Sequence, residues 1–378
     1  MISAPPKRFV FWQPMPSMHQ VPFLEALATA SRAEVIAVYA ERLAAERAAQ
    51  GWRAASSSAV REVFHDDPAR DLLLADDAPT TLHVFSGFRC HSSVRSALGR
   101  VAAGRAAFGV ISEAHDGQGV RGVVRRVRSA CDAVAYGRRA SFILAMGRLG
   151  VSWFRAAGFP ADRVHPFAYV TPAHFELPSH DAGGFRAIYV GQLIRRKGVD
   201  LLLDAMARLP PPAIPLTTVG TGHADAALRA RASRLGLTQA VSWRGVVSNE
   251  LIPGLMACHD LLVLPSRFDG WGAVVNEALS AGTPVLCSTA CGAADLLADP
   301  DSGETFRSGD VLALAAALRR IVAEGPVGGE RRRRIVARAR SFSAECVARY
   351  FLDVVTSAMQ SREPPTPPWR AGMVLNRA

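Results

Sequence analysis

Pro265–Pro284, PSRFDGWGAVVNEALSAGTP, follows the apolar run Leu261–Leu264 (LLVL) and decides how the chain is read. The short apolar run reads as a strand, Gly270-Trp271-Gly272 as a turn, and Ala273–Ala281 as a helix. Strand, Gly-rich turn and helix in that order make one unit of a parallel α/β sheet. Ligands of such sheets sit at the carboxyl ends of the strands. A Gly-rich turn brings main-chain N–H groups close to a ligand and leads into a helix N-terminus, an arrangement suited to phosphate. Asp269 lies in the loop and Glu277 about a turn into the helix, so two carboxylates eight residues apart can face one ligand from two sides.

Upstream, Tyr189–Gly198 (YVGQLIRRKG) repeats the pattern. A strand, Phe185–Val190, ends at Gly191, and Arg195, Arg196 and Lys197 follow before a helix over Val199–Leu209. Further strands are expected at Leu216–Val219, Val241–Trp243 and Pro284–Cys287, with helices over Ala224–Leu235, Asn249–Cys258 and Val311–Ala323. Gly220-Thr221-Gly222 follows one of these strands and Arg244-Gly245-Val246 another, each placed as a ligand loop would be.

The first half has the same rhythm. Strands are expected at Arg8–Trp12, Glu34–Tyr39, Thr81–Phe85, Ala107–Ile111 and Cys131–Tyr136, with helices near Phe23–Ser31 and Ser141–Leu149. Between the halves Tyr169–Gly184 (YVTPAHFELPSHDAGG) is rich in Pro, Gly and polar residues and reads as a linker. The spacing predicts an amphipathic helix over Ser343–Met359, and Gln360–Ala378 is Pro-rich and expected to be extended or poorly ordered.

The 378 residues, 49% hydrophobic and 20% charged, suit two globular domains rather than a disordered chain. No run of about 18 uncharged apolar residues is present, and MISAPPKRFVFWQPMP lacks the pattern of a signal peptide. The six scattered Cys suit a reducing compartment, and Cys287 and Cys291 read as small core residues. The net charge of +11 suggests an acidic partner. Lys7 and Lys197 are the only lysines, every other basic residue being Arg, so a Lys inside a motif draws attention.

These motifs, in their order and spacing from about Arg186 to Gly309, resemble the retaining glycosyltransferases of the GT-B, family-4 type, the glycosyl transferases group 1. Weaker resemblance extends to WQPMPSMHQVPFLEALA and GRLGVSWFRAAGFPADRVHPFAYVTP in the first half. The resemblance implies an α/β GT-B fold of two Rossmann-like doubly wound domains facing across a cleft. Residues 1–178 would bind the acceptor, 179–342 the nucleotide sugar, and 343–378 would pack back toward the first domain. It implies transfer of a sugar from a nucleotide-diphosphate sugar to a hydroxyl of a glycan or lipid-linked acceptor, in bacterial surface polysaccharide or glycolipid synthesis. Glu277 would bind the ribose hydroxyls, Asp269 the donor sugar, and Arg196 and Lys197 the diphosphate. Gly191, Gly220, Gly222, Val246, Gly270, Trp271, Gly272, Ala273 and Val274 complete the implied donor site.

Three positions depart from the family pattern. Asp269 is one methylene shorter than Glu, Gln192 stands where many members have Arg, and Pro16-Ser17-Met18-His19 replaces a common Gly-Gly pair. No metal or other cofactor is implied. Asp299-Pro300-Asp301 has the form of a metal-binding motif, but it contains Pro after a helical stretch and reads as a turn. In the first half, Glu113 and His115 of the polar loop Ile111–Gly119 are candidates for contact with the donor sugar or the acceptor hydroxyl, and His19 is a third.

Arg121, Arg125, Arg126, Arg128, Arg138 and Arg139 form a basic stretch suited either to solvent or to an anionic membrane, where each cation contributes about 1 kcal/mol. The expected location is the cytoplasm or the inner face of the cell membrane. Two other readings remain open at this level: a nucleotide-sugar epimerase on the same fold, and a non-enzymatic basic membrane-binding protein. Nucleic acid is disfavoured, because no helix-turn-helix, zinc-finger or RNA-binding motif is present. A dinucleotide oxidoreductase is disfavoured because G-x-G-x-x-G follows neither first strand.

Overall fold

The structure is a computed structural model and describes residues 5–43, 57–172, 184–360 and 362–371. It divides into two compact units. The first runs to Pro172 and takes the chain back from Phe342 onward, and the second runs through Ser341. Most of the linker expected at Tyr169–Gly184, with the boundary at residues 178 and 179, lies outside the described residues.

The first unit holds seven parallel strands. They are β1 Arg8–Gln13, β2 Glu34–Tyr39, β3 Arg61–Phe64, β4 Thr81–Ser86, β5 Ala107–Ser112, β6 Phe142–Met146 and β7 Val164–Phe167, in the order β3-β2-β1-β4-β5-β6-β7. β1 pairs with β2 and β4 in register, so Val10 lies between Ile36 and His83. Helices cover the sheet, and the central strands are therefore apolar on both faces. Trp12 stacks on Phe85 at 6.0 Å and donates through Nε1 to His83 Nδ1 at 3.1 Å. An indole only donates, so Nδ1 accepts and Nε2 carries the proton toward the Asp76 carbonyl.

Two expected elements are corrected here. Cys131–Tyr136 is not a strand but the end of a helix, Gly119–Tyr136. Gly122, Ser129, Asp132 and Ala133 recur at helical spacing on its buried side. Asp132 is held by Arg89 through three bonds of 2.6–3.1 Å. The strand that follows β5 is instead β6, where a helix was expected, and the helix Gly147–Ala156 comes after it. All five β6 residues are buried, and a strand covered on both faces shows no alternation to betray it. The short strands β3 and β7 were also not anticipated.

The helix Ala344–Gln360 belongs to the first unit. Its Phe351 packs edge-on against Phe9, Phe23 and Phe142 at 5.5–5.8 Å. The tail is not simply extended: a 3-10 turn, Pro368–Arg370, buries Trp369 against Tyr350 at 5.4 Å. A tryptophan with apolar surface of that size outweighs the extended preference of the prolines around it.

The second unit holds six parallel strands, β8 Ala187–Val190, β9 Leu216–Val219, β10 Val241–Trp243, β11 Leu261–Leu264, β12 Val285–Ser288 and β13 Gly303–Phe306. Their order is β10-β9-β8-β11-β12-β13. The chain lays β9 and β10 on one side of β8, then crosses to β11 on the other, so strand order reverses between β8 and β11. At the opposite, amino-terminal end of β11, Asp260 accepts from Val327 N, Arg186 N and the buried Arg332, which also donates to three carbonyls. Both members of this buried pair are extensively hydrogen-bonded, the condition under which buried charge is tolerated.

Candidate functional site

The loops at the carboxyl ends of β8, β9, β10, β11 and β12 are tied together by their main chains. Gly191 N donates to Val219 O, Leu193 N to Thr221 O, Gly220 N to Gly245 O, Arg267 N to Arg196 O and Asp269 N to Ala290 O, all at 2.7–2.9 Å. Two glycines make this packing possible. Gly220 has φ +124°, and a Cβ there would meet Gly191 O at 2.0 Å. Gly198 has φ +72°, and its Cβ would meet Pro265 O at 2.1 Å. Both positions combine a left-handed backbone with a close backbone neighbour, which only glycine accepts.

The basic triplet Arg195–Lys197 is a single 3-10 turn after β8. Lys197 Nζ donates to Asp269 Oδ2 at 2.5 Å, and Arg196 Nη1 lies 3.7 Å from Asp269 Oδ1. Arg196 also donates to Phe268 O at 2.9 Å. The Lys197 and Asp269 side chains are only 14% and 10% exposed, whereas Arg196 is 41% exposed. Two cations around one carboxylate leave a net positive site at the point where strand order reverses. The turn is braced from outside: Arg267 forms a fork to Asp200 at 2.6–2.7 Å and donates to Arg195 O at 2.8 Å.

After β11 the chain passes through Gly270-Trp271-Gly272 into the helix Val274–Ser280. No side chain caps this helix, so its first main-chain N–H groups are not satisfied from a cap. Glu277 lies in its first turn. One edge of Glu277 is partly exposed, yet protein packs densely around it, and that burial pushes its carboxyl up to about 7. Among the described residues no cation pairs with it.

The Trp271 side chain faces the core. Its ring is buried and Nε1 donates to the equally buried Asn276 Oδ1 at 2.8 Å. Its carbonyl accepts from Ala293 N and Cys291 Sγ. The indole holds the turn in shape from beneath. Gly191, Gly220, Gly222, Gly270 and Gly272 lie on these interlocked loops, Ala273 and Val274 begin the helix that follows, and Val246 is 45% exposed. Asp299 and Asp301 are elsewhere. Asp299 caps its own turn by accepting from Asp301 N, and Asp301 pairs with Arg334 at 2.6 Å. Among the described residues no cluster of three or more His, Cys, Asp or Glu is placed to hold a metal ion.

Glu113, His115 and His19 all belong to the first unit; Glu113 and His19 both lie near Tyr169, and His115 lies against Trp153. Glu113 is hydrogen-bonded to Tyr169, whose phenol is pushed well above its usual range by burial and by that carboxylate. His115 stands edge-on to Trp153 at 5.6 Å. Burial, then Arg125, holds its pKa below the ordinary histidine value, so it is neutral at pH 7. His19 lies 6.4 Å from the Tyr169 ring and lines a pocket with Gln13, Ser86, Phe23, Met146 and Phe167. That pocket opens at the ends of β1 and β4, where strand order reverses in the first sheet.

Sequence reading missed Gln13, Asn276, Asp200 and Arg267. Gln13 is 2% exposed, and its Oε1 has no partner among the described residues. It ends a strand, and a polar residue closing an apolar run was the available signal. The Arg267–Asp200 fork joins residues 67 apart and carried no local signal.

Residues 172–342 match the family model described as glycosyl transferases group 1. Over 193 residues the chain is 31% identical to glycogen synthase of Mycobacterium tuberculosis, an alignment covering 49% of this chain and 45% of that protein. Over 163 residues it is 28% identical to alpha-D-kanosaminyltransferase of Streptomyces kanamyceticus, covering 39% of this chain and 42% of that protein. The chain thus spans less than half the length of these curated relatives. HepE of Anabaena, solved in complex with UDP, superposes with a TM-score of 0.66 at 19% identity, covering 94% of this chain and 98% of that one. These likenesses establish the fold as that of the GT-B glycosyltransferases, with two parallel-sheet α/β domains.

Proposed function

We propose that the chain is a retaining glycosyltransferase that moves a sugar from a nucleotide-diphosphate sugar to a hydroxyl acceptor, in bacterial surface polysaccharide or glycolipid synthesis. One observation carries the reading: Lys197 and Asp269 meet at the β8–β11 reversal, with Arg196 beside them and Glu277 on the following helix.

Departure of a nucleoside diphosphate places negative charge on phosphate oxygens, and preorganised cations lower the energy of that state most. Lys197 supplies a point charge whose direction Asp269 fixes, and Arg196 a planar fork that is still partly in solvent. An ionised carboxylate has about four acceptor positions. Asp269 can therefore hold Lys197 and still accept from a hydroxyl of the donor sugar. Glu277, with no cation to satisfy, accepts from the two ribose hydroxyls. Positive charge from Arg196 and Lys197 replaces the divalent ion that other transferases use, so no metal or cofactor is assigned.

The acceptor hydroxyl is assigned to the first unit, at the pocket lined by Gln13, His19 and Tyr169. A buried acceptor atom without a donor is costly, and a hydroxyl of the acceptor would satisfy Gln13 Oε1. Glu113 acts there through Tyr169.

A thermal-shift panel of UDP, GDP, ADP and their sugars tests the donor half, because a ligand that binds only the folded state raises its apparent stability. A rise with one nucleoside diphosphate, lost in Lys197→Ala, is expected. No rise with any of them would sink the reading. The anomeric configuration of the product, read by NMR, tests retention.

A further inference from the structure

The helix Gly119–Tyr136 carries an apolar stripe on its outward side. Val120, Val123, Val124, Val127 and Val134 are 82%, 59%, 43%, 58% and 89% exposed. Their spacing of three, four and seven places them on one face, and the exposed Cys131 falls on the same face. The opposite face, with Gly122, Ser129 and Ala133, packs on the unit. The valines are thus additional to what the fold needs, and a stripe of them on a water-exposed helix is otherwise unfavourable.

The charges flanking the stripe are of one sign. At 3.6 residues per turn, Arg121 and Arg128 fall along one edge of it and Arg126 along the other. Three arginines of this region also serve the fold: Arg125 donates to Asp116 O, Arg126 donates to Gly117 O and lies over the Trp153 ring at 5.7 Å, and Arg139 donates to the carbonyls of Ala102 and Gly104. Arg121 and Arg128 are exposed, as is Arg138 just beyond the helix. The helix has one carboxylate, Asp132, which is buried and held by Arg89. Its outer face therefore presents valine and arginine and no acid.

We propose that this face docks on an anionic lipid bilayer, the helix lying in the plane of the surface with its valines in the acyl boundary and its arginines at the headgroups. A helix with an apolar face bordered by cations and no acids is the form that binds an anionic interface. Charge excludes a second copy of the same face, because Arg121 and Arg128 would meet their equivalents with no carboxylate between. No helix among the described residues is long and apolar enough to cross a membrane, so the contact is in-plane. This inference stands apart from the sugar-transfer reading and does not use its residues.

The test is flotation of the full chain with vesicles of phosphatidylglycerol and phosphatidylcholine, and with phosphatidylcholine alone. The wild-type chain is expected to float with the anionic vesicles at low salt. About 1 M salt, where the Debye length is about 3 Å, should release most of it. Val123→Asp/Val127→Asp should reduce binding at least about tenfold, because two charges enter the acyl boundary. Arg121→Glu/Arg128→Glu should reduce it by a similar factor. All four positions are exposed, so the melting temperature of each variant should match the wild type; the charge-reversal pair serves if the first variant does not fold. Wild type left unbound by anionic vesicles overturns the proposal. So does a Val123→Asp/Val127→Asp chain that folds and floats like wild type. A wild-type dimer that this variant converts to a monomer, with no vesicle binding by either, would assign the face to a protein partner and also overturn it.

Discussion

Lys197 follows β8 and Asp269 follows β11, yet their charged atoms meet at 2.5 Å across the point where strand order reverses. Each is nearly buried, so each depends on the other for the loss of water around its charge. Removing one partner of such a pair leaves an uncompensated charge, whereas removing both can be nearly neutral. Lys197→Met and Asp269→Asn are each expected to lower stability by about 2 kcal/mol or more. The double variant should regain much of that loss, which thermal unfolding of all three would show. Transfer should fall about a hundredfold or more in each, because the cation facing the diphosphate is lost or misdirected. A Lys197→Met enzyme with the wild-type rate would remove the site from this loop.

Glu277 makes a prediction about pH. Its carboxyl is raised by burial to about 7, above its unfolded value. A raised acid keeps its proton in the fold up to about pH 7, whereas the unfolded chain ionises it from its ordinary value upward. The penalty therefore grows as pH rises from the unfolded value through about 7. Glu277→Gln should raise the melting temperature at pH 8 relative to wild type, and by much less at pH 5. Hydroxyls prefer the ionised acceptor, so nucleotide affinity of the wild type should improve from pH 6 to pH 8. That trend should be absent in Glu277→Gln. Equal trends in both proteins would show that another group governs binding.

The second unit was more legible than the first, for a physical reason. In β8 and β11 an apolar run stops abruptly at Gly191 and Pro265, and the loops carry residue types with a single use at those places. Lys197, Asp269 and Glu277 announced themselves by charge near a strand end. The first unit misled at Cys131–Tyr136 and at β6, since a fully covered strand and a helix with small buried residues share the same short apolar words. What no local pattern carried were pairings between distant segments. The Asp200–Arg267 fork that braces the basic turn and the Glu113–Tyr169 bond exist only once the sheets are assembled. Trp271 shows a different limit: that its ring meets the core depends on Asn276, five residues on, and no local pattern carried that pairing.

Asn276 and Trp271 give the third expectation. The indole N–H and the amide oxygen are both buried, and each satisfies the other at 2.8 Å. Asn276→Leu keeps the volume roughly but leaves the indole donor without that acceptor, a loss of about 1–3 kcal/mol. The Gly270–Gly272 turn rests on this ring, so affinity for the nucleotide should fall as well, although Asn276 is beneath the turn. Trp271→Phe/Asn276→Leu removes donor and acceptor together and should recover stability more than affinity. Calorimetric binding together with a melting curve separates the two effects.

Gly220 supplies a test of the interlocked loops. A Cβ at this position meets Gly191 O at 2.0 Å on a backbone with φ +124°, so Gly220→Ala must push the β8 and β9 loops apart. Gly236, with φ +71° and nothing within 4 Å of its Cβ position, is the control for backbone strain alone. Gly236→Ala should cost about 1 kcal/mol, the usual scale for a left-handed residue. Gly220→Ala should cost clearly more, and should also weaken nucleotide binding, which Gly236→Ala should leave unchanged. Equal losses in the two variants would mean that the loop contact is not what holds the site.

The last expectation concerns divalent ions. Asp299-Pro300-Asp301 invites comparison with metal-binding carboxylate pairs, but both side chains are already committed. Asp299 accepts from Asp301 N at 2.9 Å and closes the turn. Asp301 is paired with Arg334, which holds its carboxyl below the ordinary range, and Arg331 lies near. A lowered carboxylate already matched to a guanidinium gains little from a cation, and the pair is at the surface, where such interactions are weak. Asp301→Asn should therefore leave the transfer rate unchanged. On the proposed donor reading the diphosphate would meet Arg196 and Lys197, two cations in the place of a divalent ion. Transfer should then persist in excess EDTA, and added magnesium should not raise the initial rate by more than about twofold, a change worth less than 0.5 kcal/mol. Loss of activity in EDTA with recovery on magnesium would show that the two cations do not suffice, and would transfer the charge-neutralising role from Arg196 and Lys197 to a bound ion.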